Sequence, residues 1–189
     1  GEDLQLVSIA LNGQLLTVND YQLDTESLTI GLVPQEGEFV LNIENRINPK
    51  ANTALEGLYL SSTMLCTQCE AQGFRKITWF LDRPDVMTRF KTTLSADKSK
   101  YPVLLSNGNK IAQGDLDNNR HWVSWEDPFA KPCYLFALVA GQLECVADQF
   151  TTMSGRQIAL EIFVEQHNLD KCGHAMQSLK NAMLWDEQT

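Results

Sequence analysis

The sequence predicts a mostly β, antiparallel chain, folded as a sandwich or an open curved sheet and followed by one C-terminal helix. Three observations carry that prediction. Apolar and polar residues alternate with a period of two in several short runs, the mark of strands with one buried face. Turn signals separate these runs at short intervals, with Asn-Gly at 12–13 and 107–108 and Pro34 to Gly37. No βαβ alternation and no G-x-G-x-x-G after a strand is present, so a nucleotide-binding α/β fold has no support.

Taken in order, Val7, Ile9 and Leu11 lead into Asn12-Gly13, with Leu16 and Val18 beyond, which reads as a hairpin because both turn residues accept positive φ. Leu28, Ile30 and Leu32, then Phe39, Leu41 and Ile43, flank Pro34-Gln35-Glu36-Gly37 and read as a second hairpin. Asn107-Gly108 stands between Val103–Leu105 and Ile111–Ala112 in the same manner. A polar turn from Asp115 to Arg120 precedes Trp122–Trp125. Further strands are expected over 134–139, 142–146 and 158–164, with Ser154-Gly155-Arg156 as the turn before the last. Asp82 to Met87 reads as a short helical turn, with Asp82 as its cap and Pro84 early, where a missing N–H costs nothing. Met176, Leu179, Met183 and Leu184 share one helical face near the C-terminus. That face calls for something to pack on, so the chain is expected to continue past Thr189.

Composition narrows the function classes. The 189 residues are 43% hydrophobic and 21% charged, as in an ordinary globular protein. A net charge of −9 gives no electrostatic footprint for nucleic acid. No run is long and apolar enough for a transmembrane segment, and Gly1-Glu2-Asp3 is no signal peptide. Five cysteines, an odd number, favour reduced thiols and a cytoplasmic setting.

The residues that could carry chemistry are few. Cys66 and Cys69 form a lone C-x-x-C without a second pair, and two buried thiols are the better reading than a zinc or redox site. His121, His167 and His174 form no H-E-x-x-H and are expected at the surface or at caps. No G-x-S-x-G elbow is present. Trp122, Trp125, Tyr134 and Phe136 suit a core better than a stacking platform. Glu70 follows Gln68 by two residues. In an extended stretch the two would share a face, and a carboxylate beside an amide is a grip for a protonated amine.

Several segments resemble one family. Cys66-Thr67-Gln68-Cys69-Glu70-Ala71-Gln72-Gly73-Phe74-Arg75 and Phe80-Leu81-Asp82-Arg83-Pro84-Asp85-Val86 are similar to the N-terminal domain of the bacterial aminopeptidase N family, the alanyl aminopeptidases among zinc metallopeptidases. The segments 100–109, 125–129, 131–141 and 178–187 agree, so the resemblance covers nearly the whole chain. It implies a saddle-shaped, mostly antiparallel β domain over 1–141, trimmed at its start. Residues 142–189 would then be the opening strands and first helix of a thermolysin-like catalytic domain. The family's H-E-x-x-H helix and G-A-M-E-N strand do not occur in the sequence, so the resemblance puts the Zn²⁺ ligands and the catalytic residues beyond Thr189 and expects no metal here.

By the same resemblance, Gln68 and Glu70 line the S1 side of the active site. Glu70 would bind the substrate's α-ammonium and Gln68 would orient it. The implied partners are peptide N-termini and the missing catalytic domain, and the implied location is cytoplasmic, with room for peripheral inner-membrane contact. Two other classes stay open from the residues alone. One is a free-standing β-sandwich interaction module without catalysis; the other is a C-x-x-C metal or thiol protein.

Overall fold

Every strand pairing among the described residues is antiparallel, as the short alternating runs require. The structure is a computed structural model that describes residues 1–34 and 36–189. It divides into two units, Gly1–Gly141 and Gln142–Thr189.

The first unit begins with β1 (Gln5–Leu11), which turns through Asn12-Gly13 into β2 (Gln14–Leu15). Asn12 has φ 51° and Gly13 φ 82°, the left-handed pair that a tight hairpin needs. The Asn12 side-chain oxygen also accepts the Val40 N–H at 2.8 Å. That bond guides the chain into β5 (Leu41–Arg46), the other neighbour of β1.

The hairpin expected across 28–43 is therefore absent. Leu28–Ile30 (β4) folds back onto Tyr21–Leu23 (β3) instead, through a turn closed by Asp24 and Ser27. Of the turn expected between the two runs, Gln35 lies outside the described residues. Alternation marks a strand with two unlike faces, but it does not choose the strand's partner.

Two larger sheets form the body of this unit. One has the order β6-β7-β12-β9, from Gly57–Ser61, Met64–Gln68, Leu138–Gly141 and Val103–Ser106. The other has the order β10-β11-β8, from Asn109–Leu116, Arg120–Lys131 and Thr88–Asp97. Leu104, Ala140 and Val123 join the two sheets in one buried cluster with Leu65, Leu94, Tyr101 and Trp125 around it. This is the sheet-on-sheet core of a sandwich. The Trp125 indole N–H donates to Leu104 O at 3.1 Å, so its polar atom is satisfied inside that core.

Asn107-Gly108 joins these sheets and is not a hairpin turn, because β9 pairs with β12 while β10 pairs with β11. Gly108 has φ +86°, and a Cβ there would stand 2.2 Å from Glu126 O. Asn107 accepts the Ala137 N–H at 2.6 Å and donates to Leu135 O at 2.9 Å.

Three further expectations change. Residues 133–135 form a 3₁₀ turn, and the strand starts only at Leu138. Residues 82–87 contain a single turn and no helix, and Asp82 is buried instead of serving as a helix cap. His121 is also buried, with its ring Nε2 2.7 Å from Tyr101 O.

The second unit pairs β13 (Glu144–Thr151) with β14 (Gln157–Val164) in unbroken register. Gly155, φ +82°, makes the turn between them. Helix α1 (Cys172–Gln188) buries Cys172 and Met176. Lys180 meets Asp148 at 2.5 Å, and the Glu187 carboxylate accepts the Met153 N–H, so the helix is tied to the hairpin of its own unit.

Candidate functional site

Gln68 is the last residue of β7, opposite Gly57 on β6. Glu70 lies two residues on, in a turn rather than on the strand, so the pleat does not set the two side chains on a shared face. A direct bond links them instead, with Gln68 Nε2 donating to Glu70 O at 3.0 Å. The peptide between Glu70 and Ala71 is cis. The Glu70 side chain is exposed, and its carboxylate has no hydrogen-bond or ion-pair partner among the described residues.

The loop that carries Glu70 is short and held at both ends. Only Glu70, Ala71 and Gln72 are exposed between the buried Cys69 and Gly73. The Gly73 N–H donates to Cys69 O at 2.8 Å. A Cβ on Gly73 would stand 2.2 Å from Gln68 O and 2.8 Å from the Gly57 N, so the loop closes against strand backbone at a distance only glycine permits. Phe74 follows, 6% exposed, and starts a 3₁₀ turn over Phe74–Lys76. Its ring meets Phe80, Phe90 and Phe136 edge-on at centroid distances of 5.2, 5.9 and 5.2 Å, a favourable arrangement for aromatic quadrupoles.

Beside this aromatic base lies a polar knot. Asp82 Oδ2 accepts both the backbone N–H and the Nε–H of Arg75, each at 3.0 Å. Arg75 Nη2 donates to Asp82 O at 3.2 Å. The Cys133 thiol donates to Asp82 Oδ1 at 3.1 Å. Burial, with the Asp82 carboxylate as the next cause, pushes the Cys133 thiol up to about 12, so it is a protonated donor at neutral pH. Cys69 is likewise raised to about 12 by burial, with Asp82 again adding to it.

All five cysteines are free thiols. Cys69 is buried as expected, while Cys66 is only half-buried. Among the described residues no group of three or more His, Cys, Asp or Glu side chains is placed to hold a metal. A surface cleft of about 380 Å³ lies against Asn48, Asn52 and Lys76 and includes neither Gln68 nor Glu70.

The structure thus brings Gln68 and Glu70 together at one end of a pinned loop. It adds Gly73, Arg75, Asp82 and Cys133, which the residue-by-residue reading did not single out as parts of a site. Arg75 and Asp82 are seven apart in sequence and Cys133 is fifty-one from Asp82; spacing alone gives no sign that they meet.

An exposed acidic loop tip on an antiparallel β scaffold, with no group of three or more metal-ligating side chains among the described residues, is the outline that the fold presents. Comparison with known proteins gives that outline a family. Residues 5–135 match the Peptidase M1 N-terminal domain, and the chain belongs to that family. It is 58% identical to aminopeptidase N of Escherichia coli over 188 residues and 54% identical to aminopeptidase N of Haemophilus influenzae, in each case across 21% of the relative's length. The chain thus spans about a fifth of these relatives.

The crystal structure of Legionella pneumophila aminopeptidase A in complex with aspartic acid superposes over the whole chain with a TM-score of 0.95 and 40% identity, covering 22% of that protein. An M1 zinc metallopeptidase from Deinococcus radiodurans shares the fold over 86% of the chain, with a TM-score of 0.69 at 16% identity.

Proposed function

We propose that this chain is the N-terminal portion of a zinc-dependent aminopeptidase that removes N-terminal residues from peptides. Its own contribution is recognition of the substrate's α-ammonium on the S1 side, by Glu70 with Gln68 beside it. The observation that carries this reading is the Glu70 carboxylate, exposed and without a partner among the described residues, at the tip of a loop whose two ends are buried.

An α-amino group has a pKa of about 7.7–8.0, so it is largely charged at neutral pH. A carboxylate that meets it in a closed cleft forms a charge-assisted hydrogen bond, and an acylated N-terminus leaves that carboxylate unmatched. Such a contact limits cleavage to the first peptide bond. The amide of Gln68, already bonded to Glu70 O, steadies the backbone from which the carboxylate projects.

On this reading residues 1–141 are a saddle-shaped β domain, and 142–189 are the opening strands and first helix of a thermolysin-like catalytic domain. Zinc, when bound in the full-length enzyme, polarises the scissile carbonyl and activates water; its ligands are assigned to the remainder of that enzyme. The partners are peptide N-termini and the rest of the same polypeptide. Reduced thiols fit a cytoplasmic enzyme, and no helix among the described residues is long and apolar enough to cross a membrane.

The test uses the full-length protein, a peptide with a free N-terminus and its N-acetylated twin. Stepwise release of N-terminal residues from the first peptide only, lost on chelation and restored by zinc, is the expected result. Equal cleavage of both peptides, or cleavage indifferent to chelation, contradicts the reading.

A further inference from the structure

We propose that Asp82 is a positioning residue for amine recognition, fixing through Arg75 and Cys133 the far end of the loop that presents Glu70. This rests on the reading of Glu70 as the ligand of the substrate's α-ammonium.

A carboxylate taken out of water is costly unless it is paired and hydrogen-bonded. Asp82 is 7% exposed and meets that condition with donors from two separate parts of the chain. Oδ2 takes the Arg75 backbone N–H and guanidinium, and Oδ1 takes the Cys133 thiol. Arg75 stands directly after Phe74, whose ring is fixed by three other phenylalanines. Only three exposed residues separate Cys69 from Gly73, so a shift at Arg75 is passed to Glu70 with little slack to absorb it. The other charge partner of Arg75, Glu2, stands at 3.8 Å and cannot replace a buried ligand that binds backbone and side chain together.

Asp82→Asn keeps the shape but removes the charge and puts an N–H among donors. A loss specific to ligands that carry the amine is expected.

The experiment uses the full-length enzyme and two inhibitors, alanine hydroxamate and propionohydroxamate, which differ only in the α-amino group. The ratio of their inhibition constants reports the amine contact. In Asp82→Asn the preference for the amine-bearing inhibitor should fall at least about fivefold, a typical consequence of a weakened charged hydrogen bond. Propionohydroxamate should bind within about twofold of wild type, since it makes no use of that contact. Combining Asp82→Asn with Glu70→Gln should add nothing to the ratio change of Glu70→Gln alone.

Should Asp82→Asn fail to fold, Arg75→Lys decides the matter: it keeps the backbone N–H and loses the guanidinium fork, and the same selective loss is expected. An unchanged ratio in the variants that fold, or an equal weakening of both inhibitors, overturns the proposal in favour of a merely structural role. Glu70→Gln separates the two levels. If it collapses the ratio while the Asp82 and Arg75 variants do not, only the positioning role falls. If it leaves the ratio intact, the amine reading falls and the positioning role with it.

Discussion

Between Cys69 and Gly73 single atoms decide the local structure. Gly73 has room for a hydrogen and nothing larger, with Gln68 O at 2.2 Å from where a Cβ would be. Gly73→Ala must push the loop off the end of β7, and a loss of about 2 kcal/mol or more is expected, of the size seen for overpacked sites. A lowered thermal midpoint checks this, and an unchanged one contradicts the close approach. The thiols make a second prediction. Cys69 and Cys133, both held up to about 12 by burial, should resist a thiol reagent at pH 8 in the native protein, while exposed Cys145 reacts before them. Peptide mapping after brief labelling tells these sites apart; early labelling of Cys69 would contradict their burial. At this scale the spacing of Gln68 and Glu70 suggests a shared strand face that the turn at Glu70 does not provide, and their expected role comes from the family resemblance. Asp82 looked like a helix cap, because a short Asp-x-Pro run offers the same residue types as a cap and only the fold shows that its oxygens face Arg75.

Among the elements, β11 is the hub of its sheet, lying between β10 and β8. Its pairing with β8 is interrupted between Asp127 and Lys131, which returns to register opposite Thr88. The Asp127 side chain, 5% exposed, sits in this irregularity, paired with Lys131 and accepting the Phe129 N–H at 3.2 Å. The Lys131 hydrogen bond, followed by that N–H and the lysine charge, lowers the Asp127 carboxyl against the opposing effect of burial. A group whose folded pKa is depressed stabilises fully above its unfolded value, about 3.9, and loses that contribution as pH falls through the folded value. Wild type should therefore exceed Asp127→Asn in thermal midpoint at pH 6–7, with the gap closing at acid pH below about 4. A gap that persists or grows on acidification contradicts the assignment. Of the strands here, β11 is legible only around Trp122–Trp125 and β8 is not read from the sequence at all, although its exposure alternates, while the Asp115–Arg120 turn closes the β10–β11 hairpin as expected. The misplaced pairings were at short runs. Three residues at β4 cannot distinguish β3 from β5 as a partner, and Asn-Gly at 107–108 serves any sharp change of direction, including a crossing between sheets.

For the molecule as a whole, the class of fold follows from period-two patterning with few helical stretches, and the sandwich core at Leu104, Val123 and Ala140 agrees with it. The site is less legible, because the chain spans 21% of the length of its aminopeptidase N relatives and supplies no metal cluster among its described residues. It offers the exposed Glu70 carboxylate on a pinned loop, and the role proposed for that carboxylate rests on the remainder of the full-length enzyme. The most direct measurement of that role is kcat/KM of full-length Glu70→Gln on a free-amine peptide. A fall of at least about tenfold is predicted, the cost of a lost charged hydrogen bond. Kinetics equal to wild type would contradict the assignment of Glu70 to the substrate's α-ammonium.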